Sequence, residues 1–232
     1  MKIEGLNKSF GDIKIFENFS LEIEERSTLC VMGPSGVGKS TLLNIVTGLT
    51  DYTGKVEMNG EVSAVFSEPA LLKNLNVYDN LRYAVAHAFP DKKVMQSEIE
   101  NVLRSVELWD RRKAFPEELS SGMAQRVALA RGFLLPSDYL IMDEAFKGLD
   151  TALKIKLRGY FLKLNAEKQK TVIIITHELD DALFLADRLI LLRNRPCEVV
   201  LDKKIYSDKR FRTHSSPELK RLSDEYMQMA LN

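Results

Sequence analysis

The stretch GPSGVGKST, Gly33 to Thr41, sets three glycines, a lysine and three hydroxyls in a run that fits GxxxxGK[ST]. Turns of this spacing let successive backbone N–H groups converge on a polyphosphate, and a helix opening at the end of the loop adds the partial positive charge of its N-terminus. Gly33, Pro34, Ser35, Gly36, Val37, Gly38, Lys39, Ser40 and Thr41 are therefore read as a phosphate cradle. In it Lys39 reaches the β and γ phosphates and the Ser40 hydroxyl ligates Mg²⁺. Far downstream, YLIMDE ends on two adjacent carboxylates, Asp143 and Glu144. Neighbours on a strand point to opposite faces, so the pair can divide the work. Asp143 holds Mg²⁺ through a water, while Glu144 faces the γ-phosphate and polarises the attacking water. Base assistance of this kind is worth about 10²- to 10⁴-fold in rate. His177 closes VIIITH at the carboxyl edge of another strand, where open α/β sheets bind ligands, and can donate to the γ-phosphate or to the attacking water.

Holding these groups in place requires a sheet and its covering helices. TLCVM (28–32) reads as a strand that runs into the glycine loop, followed by a helix with Leu42, Leu43, Ile45, Val46 and Leu49 on its apolar face and Gly48 at its close. YLIM (139–142), VIIIT (172–176) and LILL (189–192) have the continuous apolar character of parallel strands covered on both faces. Two helical patterns separate them, one with Leu153, Leu157, Phe161 and Leu164, the other with Leu179, Ala182, Leu183 and Ala186. Residues 2–26 and 54–66 alternate instead and predict half-buried antiparallel strands. Between about 70 and 135 strands give way to helical periodicity at Ile99, Val102, Leu103 and Val106. After Arg193 come a strand (EVVL), a basic loop and a last helix opened by Ser216 and Pro217, with Leu219, Leu222, Tyr226 and Met229 on its face. The fold class is α/β: a parallel-sheet core around the phosphate loop, an antiparallel β-subdomain and an inserted helical subdomain. The expected division is one domain over 1–232. Within it, about 1–69 and 136–200 form the core with the β-subdomain, about 70–135 the helical subdomain, and about 201–232 a C-terminal extension.

With 33 basic and 33 acidic residues the formal charge is zero, which argues against nucleic-acid binding through a general positive field. Hydrophobic residues at 45% and charged residues at 28% describe a folded globular domain rather than a disordered chain. Cys30 and Cys197 lie in apolar or strand contexts without CxxC spacing, so reduced thiols are expected. The opening MKIEGLNKSFGD has no apolar run of the secretory kind, and no window reaches the roughly 18 apolar residues of a bilayer span.

Taken together, these motifs resemble an ATP-binding cassette, the P-loop NTPase that forms the nucleotide-binding subunit of ABC transporters, over nearly the whole chain. LSSGM (Leu119 to Met123) with AQRVALARGFLL resembles the family's signature segment. By that resemblance Ser120, Ser121 and the backbone of Gly122 act in trans on the γ-phosphate bound by a second subunit. GLD, ending on Asp150, resembles the loop that contacts the partner across the same interface, although Asp150 also suits a helix cap. His177 takes the place of the family's switch histidine and Phe10 that of the aromatic stacked on adenine. VFSEPALLKNLNVYDNL (65–81) resembles the segment that links nucleotide to the permease, and its apolar residues are expected to form a groove for a short helix of the membrane subunit. SGMAQRVALAR, RNRPCEVV and HSSPELKRL are most similar to importers of nitrate, sulfonate and taurine-type solutes.

The resemblance implies ATP and Mg²⁺ as cofactors, an integral membrane permease and a second copy of this chain as partners, and an extracytoplasmic solute-binding protein as an indirect one. It implies work at the cytoplasmic face of the membrane on small anionic or nitrogenous solutes. Two departures stand out. Ser67 replaces a glutamine whose amide oxygen helps hold Mg²⁺; serine, shorter by about two bonds, needs a water between and is expected to couple more loosely. Ser121 replaces a glycine and is expected to crowd the trans site unless its φ is negative and its hydroxyl points away. These departures keep a second reading open: a nucleotide-dependent clamp, or a soluble cassette protein, with weak hydrolysis.

Overall fold

A computed structural model of the chain describes residues 1–231. The first half contributes β1 (Lys2–Phe10), β2 (Ile13–Glu22), β3 (Thr28–Met32), α1 (Lys39–Val46), β4 (Thr53–Glu57), β5 (Val62–Phe66), α2 (Val77–Val85) and α3 (Lys92–Ser105). The second contributes α4 (Ser121–Leu134), β6 (Tyr139–Asp143), α5 (Thr151–Lys168), β7 (Thr171–Ile175), α6 (Leu179–Leu185), β8 (Arg188–Arg193), β9 (Glu198–Lys204) and α7 (Pro217–Leu231). These elements form two compact units, Met1–Gly60 with Thr171–Asn232, and Glu61–Lys170.

In the first unit β3 and β7 are buried at every residue and β8 at its four central ones. A strand covered on both faces has no polar side to alternate, and β3 accordingly pairs in parallel with both neighbours. Cys30 stands opposite Ile174 of β7 and Leu189 of β8. β9 returns antiparallel along β8. A separate antiparallel sheet in the order β2-β1-β4 turns Ile3, Leu6, Phe16 and Phe19 inward, with the two phenylalanine rings 5.0 Å apart. Each such burial contributes about 1.5–3 kcal/mol.

The tail of this unit is tied down by polar groups. Arg212 is buried, and its guanidinium donates to the carbonyls of Leu183, Ala186 and Ser207. The Glu218 carboxylate accepts from the N–H groups of Tyr206 and Ser207. The basic run 203–212 is largely ion-paired, Lys203 with Glu225, Lys204 with Glu24, Lys209 with Asp187 and Arg210 with Asp208. On α7 Leu219 and Leu222 are buried, but Met229 is 40% exposed, so the predicted apolar face is covered only over its first turns.

In the second unit β5 and β6 pair in parallel, Val62 opposite Tyr139 and Phe66 opposite Asp143. This corrects the antiparallel reading of 54–66: β4 is antiparallel to β1, whereas β5 belongs with β6. The misleading residue is Ser63, which is buried and bonded rather than solvated. Its hydroxyl reaches the carbonyls of Gly132 and Tyr139 and the hydroxyl of Ser137. Helices α2 to α5 bury Leu81, Ile99, Leu103, Leu129, Phe133, Phe161 and Leu164, with Phe133 and Phe161 edge to face at 5.8 Å. Asn80, also buried, holds the turn before α2 by bonding Leu72, Leu75 and Asn76 backbone groups. That turn directs Val77 and Leu81 inward and leaves Phe66 and Leu72 exposed. The apolar surface of the 65–81 segment is therefore narrower than its composition suggests.

Candidate functional site

The glycine loop leaves the carboxyl end of β3 and opens α1 at Lys39. Gly33, Gly36 and Gly38 all have positive φ. At Gly36 φ is +76°, and a Cβ there would lie 2.4 Å from Arg195 Nη2. At Gly38 φ is +125°, and a Cβ would lie 2.9 Å from Ile15 Cγ2. Both positions thus demand glycine for conformation, and Gly38 also for room. Gly38 caps α1 without a side-chain bond, which leaves the first N–H groups of the helix to the loop's concave side. The Lys39 ammonium, on a buried side chain, donates to the carbonyls of Gly33 at 2.6 Å and Pro34 at 2.9 Å. Ser40 is exposed at the rim.

The same unit brings two other predicted residues toward this loop. Phe10 ends β1 opposite Ile13, one hairpin turn from Ile15 at Gly38. Its ring is 52% exposed, which excludes a core role, and Lys8 Nζ lies 4.8 Å from its centroid. His177 is exposed just beyond β7, the parallel neighbour of β3, so it emerges on the same strand edge as the loop. Thr176 fixes that turn: its N–H donates to the Val31 carbonyl and its Oγ1 accepts from the Glu178 N–H.

The remaining predicted residues lie in the second unit. Asp143 is the last residue of β6. Glu144 does not continue the strand; its φ is +49°, left-handed, a conformation rare for a side-chain-bearing residue. The two carboxylates are thus separated by a sharp turn, not by the pleat expected from sequence. Lys147 Nζ lies 2.6 Å from Glu144 Oε2, and the carboxylate raises the pKa of that ammonium. Ser67 is exposed immediately beyond β5. Ser120 caps α4, its hydroxyl accepting from the Met123 N–H at 3.3 Å. Ser121 is the first helical residue, exposed and without positive φ, so the serine introduces no backbone strain there. Gly122 packs against α5, where a Cβ would come within 2.4 Å of Leu153 Cδ2. Asp150 caps α5, its Oδ1 accepting from the Leu153 N–H at 3.0 Å.

Residues that motif reading passes over also reach these segments. Arg195 lies beyond β8 and donates from Nε at 3.0 Å and from Nη2 at 2.5 Å to the Gly36 carbonyl. The arginine of RNRP was visible, but nothing local in sequence links it to the loop. Cys197, two residues on, is buried and donates its N–H to the Ile15 carbonyl. Burial pushes its thiol up to about 12, with Glu198 adding and Lys39 opposing. On α4, Gln125 is buried with its amide on the backbone at both strand ends of the second unit.

The profile of the ABC transporter family matches residues 16–147. The aliphatic sulfonates import ATP-binding protein SsuB 2 of Pseudomonas syringae pv. tomato is 36% identical over 198 residues, 84% of this chain and 83% of that protein. A solved ATP-binding cassette, dimeric in a post-hydrolysis state with ADP and Pi bound, superposes with a TM-score of 0.75 at 27% identity, covering 89% of this chain and 99% of that one. The cbiO1 protein from Clostridium perfringens, part of the transporter complex cbiONQ, shares the fold at a TM-score of 0.80 and 22% identity, over 88% of this chain and 87% of that one.

Proposed function

The chain belongs to the ABC transporter family, and on that premise we propose that it binds and hydrolyses ATP to power an importer of small anionic solutes of the sulfonate kind. Two copies work together at the cytoplasmic face of the membrane, seated on an integral membrane permease that an extracytoplasmic binding protein supplies. No helix among the described residues is long and apolar enough to cross a membrane. The observation that carries the reading is the glycine loop between β3 and α1, a backbone cradle with Lys39 folded over it.

In this mechanism Phe10 stacks on adenine, the N–H groups that open α1 receive the phosphates, and Lys39 exchanges the Gly33 and Pro34 carbonyls for β and γ oxygens. Mg²⁺, a hard cation that takes one or two protein oxygens plus phosphates and water, would be held by the Ser40 hydroxyl and the Asp143 carboxylate, with Ser67 through a water. When bound, it would neutralise charge on the phosphates. Glu144 leaves Lys147 and accepts a proton from the attacking water. The water oxygen bonds the γ-phosphorus as the bond to the bridging oxygen breaks, giving ADP and phosphate. His177 donates to the γ-phosphate. Ser120, Ser121 and Gly122 of the partner subunit close over it, with Asp150 of the partner subunit at the same interface. A clamp with weak hydrolysis is not favoured, since the relatives over most of the chain are import ATP-binding proteins.

The test is reconstitution of the chain with its permease and binding protein in proteoliposomes. ATP-dependent sulfonate uptake, with dimerisation on ATP measured by light scattering, is expected. A chain that stays monomeric with ATP, Mg²⁺ and permease present, and releases no phosphate, overturns the proposal.

A further inference from the structure

Helix α4 begins at the signature segment and carries Gln125 one turn further on, with only 3% of its surface exposed. Its side-chain nitrogen Nε2 donates to the Phe66 carbonyl at 3.0 Å and to the Ala145 carbonyl at 2.6 Å. An amide nitrogen has two protons, and both are used. Phe66 is the residue before Ser67, and Ala145 the residue after Glu144. Further along the same helix Arg131 donates to the carbonyls of Pro69 and Ala70, so α4 grips the 66–70 segment at two places. A buried carbonyl that loses its donor is costly, so the Glu144 turn cannot move relative to α4 without giving up the buried bond at Ala145, and the 66–70 segment cannot without giving up the part-buried one at Phe66.

We infer that Gln125 is a positioning residue for hydrolysis, one amide that locks the signature helix to both the Ser67 segment and the Glu144 turn. The inference rests on the ATPase reading above and deepens it: closure of a partner's nucleotide against the start of α4 moves the helix, and Gln125 passes that movement to the base and to the permease-linking segment together. Gln125 itself touches no reacting atom. Its left-handed neighbour Glu144 depends on it for aim, and misplacement of a reacting group by about 1 Å costs about 10²-fold in rate.

The experiment compares wild type with Gln125→Met, which keeps length and lacks donors, and Gln125→Glu, which sets a carboxylate against two carbonyls. Steady-state phosphate release is expected to fall about 10- to 100-fold in kcat with KM for ATP within about twofold, Gln125→Glu being no better than Gln125→Met. Hydrogen exchange is expected to speed up in residues 66–70 and 145–148 together while the rest of α4 keeps its protection. Unchanged exchange in either segment, or kcat within about twofold of wild type, overturns the inference. So does a loss of rate that only follows the folded fraction. If Gln125→Met does not fold, Gln125→Asn, with both protons one methylene short, takes its place under the same criteria. A wild type that releases no phosphate counts against the ATPase reading alone, and exchange then decides the role of Gln125.

Discussion

In the proposed site the two units would handle phosphate with different kinds of atoms. Around β3 the groups on offer are backbone N–H donors, set by glycines at positive φ and backed by a lysine held on the loop's own carbonyls. In Glu61–Lys170 they are side chains at element ends: Asp143 closing β6, Glu144 in a left-handed turn, Ser120 and Asp150 capping helices. A backbone cradle is stiff and offers no side chain to take up a proton in the reaction, so it suits binding. Side chains on caps and turns move with their helices and can titrate, so they suit reaction and signalling. The difference predicts that ATP affinity belongs mainly to the first unit and the base for turnover to the second, with His177 the one reacting group that the first unit contributes.

Glu144→Gln gives the largest effect. The amide keeps shape and removes the base, so kcat falls about 10²- to 10⁴-fold while nucleotide affinity holds and ATP-bound dimer accumulates. Phosphate release and equilibrium ATP binding, measured on the same preparation, check it; a parallel loss of affinity breaks the assignment of binding to the other unit. The chemical inertness of the cradle is tested next. With its thiol held at about 12 by burial, Cys197 carries about 10³-fold less thiolate at pH 8 than a free cysteine. Iodoacetamide should leave it unmodified in the native chain and label it readily in urea, as mass spectrometry of the peptide would report. Rapid native labelling would mean that the turn between β8 and β9 opens.

Legibility in the sequence follows the same division. The loop could be read because glycine spacing dictates backbone shape directly, and β3, β7 and β8 because strands buried on both faces are apolar throughout. β5 was misassigned because Ser63 points inward on hydrogen bonds that sequence does not display. The left-handed turn at Glu144 has no glycine or asparagine to announce it. Gln125 looks like any polar residue on a helix, and its partners Phe66 and Ala145 stand 59 and 20 residues away. Arg195 reaches Gly36 over 159 residues. Long-range side-chain to backbone bonds leave no periodic trace, and these are the contacts that aim the site.

Arg195 sharpens the comparison at a smaller scale. Its two donors engage the Gly36 carbonyl, so that this oxygen is held from the side of Arg195 while, in the proposed mechanism, the loop's N–H groups receive the phosphates. Arg195→Ala is expected to raise KM for ATP roughly two- to tenfold with kcat unchanged, the worth of one exposed charge-assisted bond. Arg195→Lys should recover only part, because an ammonium cannot reproduce the fork. A fall in kcat with constant KM would place Arg195 with the reacting groups instead.

The smallest effect concerns Ser121, where the family resemblance leads one to expect glycine. Ser121 is the first residue of α4, exposed, with Ser120 already serving as the cap. An L-residue fits a helical φ without strain, so the position has no conformational need for glycine. Ser121→Gly should cost a few tenths of a kcal/mol in stability through helix propensity and leave ATP-driven dimerisation and kcat within about twofold. The neighbouring position contrasts with this: Gly122 faces Leu153 of α5, and Gly122→Val has to displace that side chain. If Ser121→Gly instead raised turnover several-fold, the serine side chain would be obstructing the partner's phosphate, and the start of α4 would be limiting the rate by its bulk as well as by its motion.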